Sequence, residues 1–403
     1  MQHHLVRRAF KISTECHFLL QRRCATTTHN NFHTSTTSVS ATTTAEPEES
    51  QLLCAKSPDQ HTVADLQKIY TIQESLRTER LGPAVPKYFA HLSNAIHETS
   101  VLIRSPALQC MEMIDAAAMD GTGPAKMMLH GPRGGGKSLT LLHLLHYAML
   151  KEMVLLYVPN PYFFVRDHTN VLLKSSWKAT RYDQPNMAKR WLDVFRSMNA
   201  NFLRNTTTSR EYKWGKRDAT PQGKTLMQLL DQGSSRDSYL TDAVGILLRE
   251  IRTNEALNVM FAVDACNGLF TSETKYEEVE DPRDLALVEM FQKLTRPEFT
   301  LKQGAYVFAT SRSVQYYKPP IALTEKNEPD SLERFLDGAA REHLADFTHV
   351  DVPNYSKEEY ETMMNFYNSV GWLARDNTED VIKQVDFLTY RNPFAVQQIL
   401  RTL

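Results

Sequence analysis

Apolar residues fall along this chain in two rhythms. The first is a set of short runs: "AKMML" from Ala125, "MVLLYV" from Met153, "NVMFAVD" from Asn258, "GAYVFAT" from Gly304 and "FTHVDV" from Phe347. Runs of this length that are apolar on both faces, rich in Val, Phe, Tyr and Leu, predict strands of a buried parallel sheet with helices on either side. The second rhythm is helical. It covers Pro106 to Met119, until "DGTGP" breaks it, and continues in "SLTLLHLLHYAML" from Ser138. Near the end, "SKEEYETMMNFYNSVGWL" opens with Ser356 and carries Glu359 three residues on, the sign of a capped amphipathic helix. "TEDVIKQVDFLTYRNPFAVQQILRTL" then predicts two more helices, interrupted at Asn392-Pro393. Upstream, "TVADLQKIYTI" from Thr62 and "AVPKYFAHLSNAIHETSVLI" from Ala84 read as helices of an N-terminal extension.

None of these runs is long enough to cross a bilayer, so no membrane insertion is expected. Composition changes the picture chiefly at the start. Residues 1–45 hold Arg7, Arg8, Lys11, Arg22 and Arg23 against a single acid, Glu15, a net +4, followed by a stretch of mostly Thr, Ser, His and Asn. An Arg-rich, Ser/Thr-rich, acid-poor leader is the composition of a cleaved mitochondrial transit peptide, which predicts a matrix protein; the other reading is an ordinary disordered tail. "AEPEES" then reverses the charge. The five cysteines, at 16, 24, 54, 110 and 266, include no C-x-x-C pair, so neither a zinc site nor a disulfide framework is indicated.

The formal net charge is only −1, but it is unevenly spread. About a hundred residues separate the second apolar run from the third, too many for one crossover helix. From Arg166 to Lys224 this insert holds thirteen Lys/Arg against five Asp/Glu, a local +8. Trp177, Tyr182, Trp191, Phe195, Tyr212 and Trp214 lie among the charges. Cations neutralise phosphates and exposed rings stack on bases, so one reading is RNA contact. The other is a solvated basic face over a core, because "WLDVFRSMNANFL" is periodic enough to turn Trp191, Leu192, Phe195 and Phe202 inward.

The strand at Ala125 runs into "HGPRGGGKSL", in which Gly131 to Ser138 fit G-x-x-x-x-G-K-[ST], and a strong helix former follows. Glycines at Gly131, Gly134, Gly135 and Gly136 let backbone N–H groups curl toward phosphate oxygens. The helix starting near Lys137 and Leu139 adds its positive end, and Lys137 adds a point charge. The Ser138 hydroxyl is suited to ligate Mg2+. The second metal group of such a site is an acid ending another buried strand, and Asp264 is the candidate, its other reading being a plain strand-terminating Asp in a turn. The following residue, often a Glu that polarises water, is Ala265, and a methyl group has no proton chemistry. Thr310 and Ser311 end the next strand, either as γ-phosphate contacts or as plain strand-end residues. The break at Asn392-Pro393 is either a helix–helix corner or a device that brings Arg391 or Asn392 to the nucleotide.

Together these features predict an α/β fold: a P-loop NTPase core of RecA-like or AAA-like type, with a parallel sheet, a long basic insert and a C-terminal helical lid. The expected organisation is a transit peptide at 1–45 and an extension at 46–105. A nucleotide-binding domain follows at 106–352, with its insert at 160–256, and a lid at 353–403.

Several stretches are more specific than a fold class. "RYDQP" at Arg181, "KWGKRD" at Lys213, "DAVGILLREI" at Asp242, "AVDACNGLF" at Ala262, "DLALVEMFQKL" at Asp284 and "VPNYSKEEYETMMNFYNSVGWL" at Val352 resemble the death-associated protein three family. The resemblance runs from roughly residue 60 to the C-terminus. It implies a GTP-binding protein of the mitochondrial small ribosomal subunit that keeps GTP or GDP and Mg2+ bound. It also implies contacts with small-subunit rRNA, with neighbouring ribosomal proteins and with the large subunit across the intersubunit bridge, and a link to apoptosis. Guanine rests on the resemblance, since no N-K-x-D type sequence ends a strand. The alternative is an active mitochondrial ATPase or GTPase, against which Ala265 argues.

Overall fold

The five short apolar runs all become strands, and they lie side by side. The computed structural model describes residues 52–167, 171–175, 178–311, 338–373 and 379–401; the leader and its predicted transit peptide lie outside them. The extension contributes β1 (Ile69–Ile72) and β2 (Thr99–Leu102), and the first two apolar runs become β3 (Ala125–His130) and β4 (Val154–Val158). Two short pairs come from the insert, β5 (Leu173–Lys174) with β6 (Tyr182–Asp183) and β7 (Tyr212–Lys213) with β8 (Ala219–Thr220). The remaining runs are β9 (Asn258–Asp264), β10 (Gln303–Ala309) and β11 (Thr348–Asp351). The main sheet has the order β11-β3-β10-β9-β4, parallel throughout. This order sets the ends of β3, β10 and β9 next to one another, at the carboxyl edge where ligands of open α/β sheets bind.

Strand residues point alternately to the two faces, and each face has its own core. Met127, Leu129, Leu155 and Met260 belong to one apolar cluster. Met128, Leu156, Phe261 and Phe308 belong to the other. Helices α1 (Lys87–Ile96), α2 (Ser105–Asp120) and α3 (Lys137–Leu150) cover the first face. The longer helices on the second are α4 (Pro185–Met198), α5 (Leu226–Gly233), α6 (Asp237–Thr253) and α7 (Ala286–Lys293). The chain returns to the first face with α8 (Lys357–Ser369), α9 (Glu379–Thr389) and α10 (Pro393–Leu400). The predicted α/β class with a parallel sheet and a helical lid is therefore what the chain forms. Fully buried side chains such as Phe261, Phe291 and Phe308 each contribute roughly 1.5–3 kcal/mol by leaving water.

The extension departs from the helical expectation. "TVADLQKIYTI" makes a single 3-10 turn and then the strand β1. In "AVPKYFAHLSNAIHETSVLI" the helix α1 stops at His97, which takes a left-handed φ of 56°, and the rest forms β2. The two strands pair antiparallel. Ile69-Tyr70-Thr71-Ile72 and Thr99-Ser100-Val101-Leu102 are β-branched, aromatic or small, and burial against α3 and its neighbours outweighed the weak helical spacing.

Candidate nucleotide-binding site

The loop between β3 and α3 is shaped by its glycines. Gly131, Gly134 and Gly136 have φ of +130°, +80° and +108°, which side chains with a Cβ resist. A Cβ on Gly131 would lie 2.4 Å from the Val352 carbonyl oxygen, and one on Gly134 would lie 2.6 Å from Asn392 Oδ1 and 2.8 Å from Phe394 Cβ. On Gly135 it would meet Val352 O at 2.9 Å, and on Gly136 an Arg104 nitrogen at 3.2 Å. The sequence argument placed the need for glycine on the ligand side. The structure adds a second cause, because the chain after β11 and the lid press on the loop from behind.

Lys137 is nearly buried, at 9% exposure, and its Nζ donates to the carbonyls of Gly131 (2.9 Å) and Pro132 (2.8 Å). Asp264 ends β9 across from the loop. Burial raises its carboxyl above the ordinary carboxylate range, while the Ser138 side chain, the Ala265 amide and the Lys137 charge pull it down. Ala265 takes a left-handed φ of 58° and donates its N–H to Asp264 Oδ1 at 2.9 Å. Thr310 places its amide (3.0 Å) and hydroxyl (3.2 Å) on the Leu129 carbonyl, extending the β3–β10 pairing. Ser311 is held by a reciprocal pair with the Asn267 carboxamide, at 3.0 and 2.8 Å.

These groups share one cavity of about 320 Å3. Its lining includes Gly134, Gly136, Lys137, Ser138, Leu139, Asp264, Thr310 and Ser311. It also includes Phe89, Val101 and Leu102 from the extension, Met363 and Tyr367 of α8 and Phe394 of α10. A polyphosphate joined to a flat ring system suits such a mixed lining. The Ser138 hydroxyl and Asp264 carboxylate are hard oxygen donors of the kind Mg2+ takes, with few protein ligands and the rest of its shell from phosphate and water. The residues present therefore fit a nucleotide with magnesium.

The closure of this cavity rests on residues that sequence reasoning missed. Arg104, just after β2, donates to the Gly135 carbonyl (2.8 Å) and to both oxygens of Glu359 on α8 (3.0 and 2.9 Å). Its second terminal nitrogen also reaches the Pro353 (3.0 Å) and Asn354 (3.3 Å) carbonyls, and its guanidinium lies 5.2 Å from the Tyr355 ring centroid. Burial pushes the Tyr355 phenol up to about 12. The one sequence signal was an arginine ending an apolar run, "TSVLIR". Asn392 stands at the corner between the two tail helices and also touches the glycine-rich loop. Its side chain caps α10 through the Ala395 amide (3.1 Å) and donates to the Arg133 carbonyl of the loop (2.9 Å). Phe394 N–H adds a bond to the Gly134 carbonyl at 3.1 Å. Arg391 turns away, 3.3 Å from Asp386.

On the far face, the insert's aromatics settle as core. Trp191, Phe195 and Tyr212 are 3%, 1% and 7% exposed, and Trp191 Nε1 donates to the Tyr157 carbonyl at 3.0 Å. Leu192 is buried with them and Phe202 packs against the same cluster. Trp214 is half-buried, bonded to Thr220 Oγ1 at 2.8 Å, and Tyr182 lies under Lys174; Trp177 is outside the described residues. For Trp191, Phe195 and Tyr212 the core reading is the one the structure bears out, and these three rings are not available to stack on bases.

Residues 101–398 match the family described as mitochondrial ribosomal death-associated protein 3. Over 329 residues the chain is 29% identical to the small ribosomal subunit protein mS29 of Bos taurus, covering 78% of this chain and 79% of that protein. The mouse protein of the same name is 28% identical over 79% of this chain and 80% of its own length. That of Schizosaccharomyces pombe is 20% identical over 74% and 64%. Among solved structures, the Aeropyrum pernix ORC2 protein in its ADP form gives a TM-score of 0.34 at 10% identity, covering 73% of this chain and 60% of that one.

Proposed function

The chain belongs to the mitochondrial ribosomal death-associated protein 3 family, and from there we propose that it is a structural protein of the mitochondrial small ribosomal subunit, held in shape by a bound nucleotide. GTP or GDP occupies the cavity, its phosphates on Gly131, Gly134, Gly135, Gly136, Lys137, Ser138 and Leu139. Mg2+ sits on Ser138 and Asp264. The magnesium ion neutralises phosphate charge, and the chain's own residues do the rest. Lys137 gives up its carbonyl partners for phosphate oxygens, and the start of α3 presents its first-turn amides, which have no partner within the helix. Small-subunit rRNA, neighbouring ribosomal proteins and the large subunit across the intersubunit bridge are its partners.

The observation that carries this reading is the bracing of the loop by the lid through Arg104 and Asn392, beside an Asp264 that Ala265 follows. A turnover enzyme needs a positioned base, whose loss removes about 10²–10⁴-fold in rate, and it needs the product to leave. Here no carboxylate follows Asp264, and exit requires opening a hydrogen-bonded seam. The test is to extract and identify what copurifies with the protein, then to measure turnover. Guanine nucleotide in near-stoichiometric amount is expected, lost together with subunit assembly in Lys137→Ala. Multiple turnover at about 1 s⁻¹ or faster, ordinary enzyme speed, would overturn the structural role in favour of an active ATPase or GTPase.

A further inference from the structure

The thirteen cations between Arg166 and Lys224 are of two kinds. One kind is satisfied inside the protein. Arg166 faces Glu273 (3.8 Å), Arg181 faces Glu289 (3.2 Å), Arg190 faces Asp167 (3.2 Å) and Arg196 faces Asp231 (2.8 Å). Of the remaining nine, Lys174, Lys178 and Lys189 lie apart, and six fall between residues 204 and 224, most of them on a single excursion of the chain.

Between Thr206 and Leu226 the chain runs out and back as a hairpin. Thr207 pairs with Thr225 at its stem, and β7 pairs with β8 farther out. Trp214 N–H to the Asp218 carbonyl (2.8 Å) closes the tip. The alternation of a strand then sorts the side chains. Tyr212 and Thr220 point inward and are buried, while Lys213 and Ala219 point outward. The inner side is firmly fixed. Buried Glu250 of α6 accepts from the Ser209 amide (3.1 Å), the Ser209 hydroxyl (2.9 Å) and the Tyr212 hydroxyl. Thr220 Oγ1 bonds Gln232 at 2.8 Å, and the Trp214 ring lies 5.7 Å from that of Tyr239.

The outer side is left cationic. Residues 204–224 hold six Lys/Arg and two acids. Of the acids, Asp218 is occupied by Arg236 (3.1 Å) and the Tyr239 hydroxyl (3.0 Å). Lys213, Lys216, Arg217 and Lys224 are exposed and form no ion pair among the described residues. A platform with its rings turned in and several cations turned out offers no ring face for stacking on bases. It does have what a sugar–phosphate backbone requires.

We propose that this hairpin is a grip on the backbone of double-helical RNA, with Lys213, Lys216 and Arg217 each facing a phosphate and no base contacted. The proposal rests on the ribosomal reading above, which makes RNA rather than an acidic protein or a lipid surface the polyanion at hand. The contact is therefore indifferent to sequence, steeply salt-dependent and independent of the nucleotide cavity on the opposite face of the sheet.

The test uses the full chain, two RNA hairpins with unrelated duplex sequences of equal length, poly-glutamate, and vesicles containing anionic phospholipid. Lys213→Gln/Lys216→Gln/Arg217→Gln is compared with wild type and with Lys178→Gln/Lys189→Gln, two exposed cations of the same insert outside the hairpin. The triple variant should lower the slope of log Kobs against log salt by about 2–3, since each phosphate contact contributes about 0.9. It should do so equally on both RNAs, whereas the double variant leaves the slope within one contact of wild type. An unchanged slope in the triple variant overturns the grip, as does a tenfold preference between the two RNAs. Binding to poly-glutamate or vesicles that matches RNA at equal charge also overturns it. Sedimentation of wild type with the small mitoribosomal subunit separates the two levels. If wild type fails to co-migrate, the ribosomal reading falls. If it co-migrates while the triple variant keeps its slope, only the grip falls.

Discussion

On the face of the sheet that carries the glycine-rich loop, charged groups close on one another. Arg104 spends its donors on Glu359 and on carbonyls of the loop and of the chain after β11, and Lys137 rests on carbonyls of its own loop. On the opposite face the arrangement is inverted. Aromatic rings and Glu250 fix the hairpin from within, and its lysines and arginines are left to the outside. Both regions are rich in cations, and neither composition nor net charge separates them. What separates them is whether the partner of each charge lies inside the chain. A charge answered internally is part of the architecture, and one left to solvent on a rigid support is open to an external anion.

The sharpest way to break that contrast is at Arg104. Arg104→Met leaves Glu359, with 12% of its side chain exposed, without its partner. Removing one member of a buried pair costs about 3–5 kcal/mol, readable as a lower urea midpoint with nucleotide present. The triple substitution on the hairpin should cost no more than about 0.5 kcal/mol per site, the usual range for exposed positions. Equal losses at the two places would erase the distinction.

Gly134→Ala asks whether the loop's glycines serve the lid or only the ligand. With φ at +80° and Asn392 Oδ1 at 2.6 Å from the new carbon, the cost is about 1–3 kcal/mol. It should be present in protein stripped of nucleotide. A loss confined to the nucleotide-bound protein would assign the glycine to the phosphate alone.

The most gradual expected effect is a pH dependence of the closed face. His143 and His146 of α3 pack with His61 and Tyr70, with His61 Nδ1 3.0 Å from His143 Nε2. Burial lowers both, His146 to about 4. These imidazoles stay neutral in the folded chain while the unfolded chain takes up protons below its ordinary value of about 6.5. Stability is therefore complete above about pH 6.5 and drains as pH falls through the window below it. Going from pH 7.5 to 5.5 should cost about 1 kcal/mol per histidine, measured as denaturant midpoints. A flat profile would mean that these side chains protonate without unfolding, and so are not sealed.

The sheet was legible because strands buried on both sides must be apolar throughout, and all five such runs appear where β3, β4, β9, β10 and β11 form. The loop was legible from the spacing of Gly131 to Ser138, and the lid from the box at Ser356 and Glu359. The extension was not, because β1 and β2 are four residues each and form a separate two-stranded pair outside the main sheet. The insert's rings among charges carried two meanings, and only burial decided between them. Arg104 was invisible for another reason, since its meaning lies in Glu359, 255 positions away.

That separation has a consequence in time. The loop is made early in the chain, but the groups that brace it, at Val352, Glu359, Asn392 and Phe394, are made last, and Asn392 meets Arg133 across 259 positions. Contacts of such long range cannot form until the chain between them is present, and they form slowly. During synthesis the glycine-rich segment exists first as an unbraced turn on a half-built sheet. It takes its final shape only as the last helix arrives, so a chain interrupted before residue 394 would lack its closing bond, however complete its sheet.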